Sequence, residues 1–166
     1  AVASTKAFIS QITVLTLFML YLGKLRSILG KNEARKIISE IKKLPARVKT
    51  ILKQEEKIKA LAKKYKKYEH FLYLGRKYNF ATALEGALKL KEVSYVHAEG
   101  YCAGEMKHGP IALIDPKFPS LFVVPHDYVF ENVVSNLEEI RARHGRIIAI
   151  TDKKSAKLER IANDVV

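Results

Sequence analysis

Three short apolar runs constrain this chain more than any other feature: Phe71-Leu72-Tyr73-Leu74, Ser120-Leu121-Phe122-Val123-Val124 and Arg146-Ile147-Ile148-Ala149-Ile150. They are too short for stable helices, they lack the polar alternation of a half-solvated strand, and Gly75 and Pro125 close the first two. Such runs mark strands buried on both faces, as parallel strands are. Helical patterns fill the gaps, Asn79 to Val96, Val129 to His144 and one starting at Lys153, and Val165-Val166 reads as the beginning of a further strand. Strands alternating with helices imply right-handed crossovers and a parallel sheet covered on both sides. The expected class is α/β, with the sheet core at 68–166 and a helical lead-in at 1–67.

The lead-in reads as three helices. Ser4 is placed to cap the first, which runs to about Leu29 before Gly30 stops it. Asn32 caps a second to about Lys43, Leu44-Pro45 breaks it, and Pro45 opens a third that reaches about Tyr68. The stretch Phe8 to Leu25 is apolar but is interrupted by Ser10, Gln11, Thr13, Thr16 and Gly23. A convincing membrane span needs roughly 18 to 20 uninterrupted apolar residues, so the expectation is a helix covered by the domain itself or by another subunit, and no membrane partner. No small-residue cleavage site follows it, which argues against a signal peptide.

Charge narrows the partners. The chain carries 30 Lys or Arg against 17 Asp or Glu, a net charge of +13. Between Lys24 and Lys67 there are 16 basic and 4 acidic residues, which supplies nearly all of that excess. These lysines surround apolar helical patterns with no aromatic platform beside them, so a solvated surface is expected rather than a nucleic-acid site. A single cysteine, Cys102, cannot form an internal disulfide, and an intracellular, cytoplasmic setting is the default.

The densest chemistry lies between Ala83 and Pro110. Glu85, Lys89 and Glu92 fall at i, i+4 and i+7, one polar stripe of a helix whose Leu84, Ala87, Leu88 and Val93 are expected to face the core. An ordinary surface helix with a Glu85–Lys89 ion pair would show the same spacing. Then come Gly100, Gly104 and Lys107-His108-Gly109-Pro110, a stiff turn that carries an imidazole. His97, Cys102 and His108 fit none of the common zinc spacings, and no metal or other cofactor is expected.

The wording of these segments carries a resemblance. ALEGALKLKE, HAEGYCAGE and KHGPIALI, in that order, with AVASTKAF at the start, closely resemble the second sugar isomerase (SIS) domain of the glucosamine-6-phosphate synthase family. The resemblance implies a three-layer α/β/α sandwich, truncated here at its C-terminus. It also implies an enzyme that makes glucosamine 6-phosphate from fructose 6-phosphate and glutamine-derived ammonia. By the same resemblance, Glu92 is the isomerisation base, Lys89 lines the sugar site, and Val2, Ala3 and Ser4 touch the bound sugar. His108 would open the sugar ring in the site of a neighbouring subunit, which makes the working unit a homodimer. Glu99 and Glu105 are further carboxylates near that loop.

Departures from the family pattern limit what this stretch does alone. It has no glutaminase region and no serine- and threonine-rich phosphate loop, and the family's imine-forming lysine would lie beyond Val166. The isolated chain is therefore expected to be inactive. Lys77 and Ala81 stand where relatives often carry glycine and proline, so the loop after the first strand is a candidate for a different shape. Two other readings fit the same motifs: a glutaminase-free SIS phosphosugar isomerase or deaminase, and a SIS module that only senses a sugar phosphate.

Overall fold

The computed structural model describes residues 3–166. The chain divides into two compact units, one ending at Tyr65 and one running from Lys66 to Val166.

The first unit is all helix: α1 (Thr5–Leu25), α2 (Lys31–Leu52) and α3 (Glu55–Tyr65). Three expectations fail here. Asn32 does not cap the second helix but lies inside it, since α2 starts at Lys31 with Gly30 in the cap position. Ser4 precedes α1 in a left-handed conformation, φ 43°, and makes no side-chain cap hydrogen bond. Pro45 does not end a helix either, because α2 continues through it to Leu52. Proline removes one ladder donor, but α2 buries none of its residues, so water can take up the freed carbonyl. Glu40 bridges the proline, accepting from Lys43 and Arg47 at 2.6 Å each. The real break comes at Lys53-Gln54, where both amides bond back three residues. Within this chain Leu20 is the one buried residue of the apolar α1. By length and composition α1 is long enough to cross a membrane.

The second unit holds a five-stranded sheet, β1 (His70–Gly75), β2 (His97–Cys102), β3 (Ser120–Val123), β4 (Ile147–Ile150) and β5 (Asp164–Val165). The order is β2-β1-β3-β4-β5 and every pairing is parallel. The helices are α4 (Tyr78–Ser94), α5 (Phe130–Ala142) and α6 (Ala156–Ile161), and two 3₁₀ turns, Ala103–His108 and Pro110–Leu113, carry the chain from β2 to β3.

This order fixes the layers. The β1-to-β2 connection runs outward one way along the sheet and the later connections run the other way, so right-handed crossovers place α4 on one face and the remaining connections on the opposite face. Side chains agree. Tyr73 of β1 meets Gly86 of α4, and Gly100 of β2 lies under Leu84 of α4. Leu72 and Leu74, pointing the other way, join Met106, Phe122, Val133, Val134 and Leu137 in the main core. One strand was not expected from the sequence. β2, His97-Ala98-Glu99-Gly100-Tyr101-Cys102, pairs in register with the whole of β1 although it lacks an apolar run.

Candidate active site

Glu85, Lys89 and Glu92 form the polar stripe on α4 that their spacing predicts. Lys89 Nζ donates to Glu92 Oε2 at 2.5 Å and lies 3.5 Å from Glu85 Oε1. All three side chains are more than two-thirds shielded from solvent. The hydrogen bond to Glu92 pushes the Lys89 ammonium above its ordinary range; burial works against this and the charge of Glu85 adds to it. Lys89 is thus a fixed cation beside a carboxylate, an arrangement able to stabilise negative charge that develops next to it.

The surroundings of the stripe differ from expectation. Only Ala83 and Ala87 of α4 are buried, while Leu84, Leu88 and Val93 remain 45%, 42% and 62% exposed. Small residues let α4 lie close on the sheet, with Leu84 directly over Gly100. At Gly75 an added Cβ would fall 2.1 Å from the carbonyl oxygen of Asn79, and at Gly100 it would fall 2.7 Å from Leu84 Cα.

His108 ends the first 3₁₀ turn with a side chain 76% exposed, 3.9 Å from Glu105 Oε2. Its backbone is held on both sides. Met106 is fully buried in the core, and Gly109, at φ 148°, turns the chain into Pro110. Lys107 Nζ pairs with Glu139 Oε1 of α5 at 2.8 Å. Asn136, 5% exposed, donates to the other Glu139 oxygen at 3.2 Å and accepts from Arg76 Nε at 3.1 Å. This Arg76–Asn136–Glu139–Lys107 chain ties the rim after β1 to the turn that presents His108. It escaped sequence reasoning because its members are scattered over sixty residues with no shared local pattern.

The layers decide what these groups can do together. Glu92 sits on the α4 face and His108 on the opposite face, among the turns that pack on α5. The sheet lies between them, so one chain does not bring them into one pocket.

Among the other expected site residues, Val2 lies outside the described residues, Ala3 is half-buried, and Ser4 is exposed at the entrance to α1. Glu99 lies 3.7 Å from His97 Nε2, and its hydrogen bond holds the Tyr101 phenol above its usual range, with the Glu99 charge and burial adding to the effect. Cys102 is a free thiol. Among the described residues no three or more His, Cys, Asp or Glu side chains gather for a metal. Lys77, at φ 54° and ψ −126°, keeps a glycine-like backbone at the head of α4, with its ammonium 5.3 Å from the Tyr128 ring centroid. At the same carboxyl-end rim His126 Nδ1 and its amide both lie 2.9 Å from Asp152 Oδ1.

A doubly wound parallel sheet with a shielded carboxylate–ammonium pair on one layer and an exposed, braced histidine on the other is an α/β domain that carries groups able to move protons. The chain belongs to the SIS domain family, whose model matches residues 64–166. It is 48% identical to the glutamine--fructose-6-phosphate aminotransferase [isomerizing] of Mesorhizobium japonicum over 93% of this chain and 26% of that protein. It is also 48% identical to the same enzyme of Chlorobaculum tepidum, over 99% of this chain and 27% of that protein. The chain thus spans about a quarter of the length of these relatives. The C-terminal domain of glucosamine-fructose-6-phosphate aminotransferase from Francisella tularensis superposes with a TM-score of 0.93 at 42% identity, over 99% of this chain and 47% of that one. Tagatose-6-phosphate ketose/aldose isomerase from Escherichia coli aligns over 60% of this chain and 28% of its own at 25% identity, with a TM-score of 0.54.

Proposed function

We propose that this chain is the second SIS domain of a glutamine–fructose-6-phosphate aminotransferase, in which it completes a sugar-phosphate site that also draws on other parts of the enzyme. The open-chain sugar loses a proton from one carbon to Glu92, and the same carboxyl returns it to the neighbouring carbon through an enediol or its nitrogen counterpart. Lys89, held against Glu92, stabilises the negative charge that grows on the substrate oxygen. His108 donates to the ring oxygen and opens the ring before that step, and it does so for the site of a partner subunit. Val2, Ala3 and Ser4 contact the sugar. The working form is a cytoplasmic homodimer, and the 166 residues alone do not turn over.

The observation that carries this reading is the 2.5 Å Lys89–Glu92 pair, shielded on a helix whose wording matches enzymes of this activity across nearly the whole chain. The test is glucosamine 6-phosphate formation from fructose 6-phosphate and glutamine by the full-length parent protein, wild type and Glu92→Gln. Removing a general base costs roughly 10²- to 10⁴-fold, and a loss of that size is expected. Isomerisation that persists without any use of glutamine would place the parent among glutaminase-free isomerases. Unchanged turnover in Glu92→Gln would contradict the assignment of the base.

A further inference from the structure

The mechanism leaves unused a histidine pair at the opposite rim of the sheet from Arg76 and His126. His70 opens β1 and His97 opens β2, and the two are Cα partners in the parallel register, so their side chains leave the sheet on the same face. Their Nδ1 atoms face each other at 3.3 Å, with ring centroids 5.4 Å apart and planes inclined at 72°. Both residues are exposed. They line a cleft of about 1040 Å³ together with Lys67, Tyr68, Phe118 and Arg146.

We propose that His70 and His97 form a two-imidazole site for a borderline transition-metal ion such as Zn²⁺. The separation is the first argument. The 3.3 Å contact is a hydrogen bond between the two Nδ1 atoms, and two nitrogens bound to one tetrahedral Zn²⁺ at about 2.0–2.1 Å lie about 3.3–3.4 Å apart, so a metal that displaces the shared proton meets both rings at the separation it needs. The second argument is charge. Glu99 Oε1 stands 3.7 Å from His97 Nε2, too far for a hydrogen bond but near enough for its negative charge to favour a cation held at the other nitrogen of that ring. The third is access. The remaining coordination positions open into the cleft, where water completes the shell. Ring geometry is also braced from the protein side, since Phe118 packs edge-on against His70 at 6.0 Å.

Metal binding here does not depend on the isomerase reading. The experiment is a Zn²⁺ titration of the metal-stripped full-length protein against a chromophoric indicator, comparing wild type with His70→Asn, His97→Asn, Glu99→Gln and His126→Asn. One Zn²⁺ per chain is expected at this site, weakened at least tenfold by either His70→Asn or His97→Asn. Glu99→Gln is expected to weaken it by less than that, through loss of a nearby negative charge, and His126→Asn to leave it unchanged. Should a variant fail to fold, the wild-type ring proton signals decide: those of His70 and His97 shift together on adding Zn²⁺. Wild-type affinity in folded His70→Asn and His97→Asn, or no shift of either ring, would overturn the proposal.

Discussion

Glu92 and His108 stand on opposite faces of one parallel sheet, the first on α4 and the second in the crossover from β2 to β3. They lie only sixteen positions apart in the sequence. The topology keeps them apart within a chain, because the connection from β1 to β2 and the connection from β2 to β3 run in opposite directions along the sheet and so cover opposite sides. If both groups act on one substrate, a second chain must supply one of them.

The flat seating of α4 rests on glycine. At Gly100 a methyl group would lie 2.7 Å from Leu84 Cα and 2.9 Å from its amide nitrogen, both backbone atoms that cannot rotate away. Gly100→Ala is expected to destabilise the domain by about 2 kcal/mol, within the range for overpacking. Urea unfolding of the purified variant measures it, and a loss below a few tenths of a kcal/mol would mean that α4 is free to lift.

Lys77 carries strain. Its φ of 54° with ψ of −126° suits glycine and is unfavourable for a side chain with a Cβ, at a cost of about 1–3 kcal/mol. Glycine would bring an entropic loss of roughly 0.5–1 kcal/mol, and the Tyr128 contact, worth about 0.5 kcal/mol at an exposed site, would go. Lys77→Gly is therefore expected to stabilise the domain by up to about 1 kcal/mol, read as a higher urea midpoint at unchanged slope.

Asp152 gives a pH signature. Burial pushes its carboxyl up, but the hydrogen bonds from the His126 side chain and amide outweigh this and hold it below the ordinary value of 3.8. A lowered folded-state pKa contributes stability that is present above 3.8 and is lost as pH falls through the folded value. Asp152→Asn should therefore unfold at a lower temperature than wild type at neutral pH, and the gap should close as the pH drops below 3.8.

How much of this was legible in the sequence depends on where each signal is stored. β1, β3 and β4 announced themselves because a strand buried on both faces must be apolar throughout, and β5 was visible as Val165-Val166. β2 was hidden. As the edge strand beneath α4 it needs only Ala98 and Gly100 on the helix side, while His97, Glu99 and Tyr101 face the other way, so it reads as a polar, glycine-bearing loop. Pro45 misled for the opposite reason: a strong local breaker sits in a solvated helix that tolerates it. The Glu85–Lys89–Glu92 stripe was readable from helical period alone. The Arg76–Asn136–Glu139–Lys107 chain and the His70–His97 pair exist only through tertiary register, which no window of sequence displays.

The shared site is tested most directly by mixing two inactive proteins. Full-length Glu92→Gln and His108→Asn, each expected to be nearly inactive, are combined, unfolded or dissociated together, and reassembled at equal concentration. If each site takes Glu92 from one subunit and His108 from the other, the mixed dimers, half of the population, carry one intact site and one doubly damaged site. Activity then returns to roughly a quarter of wild type for a symmetric dimer. No activity at any mixing ratio, with mixed dimers present, would contradict the account.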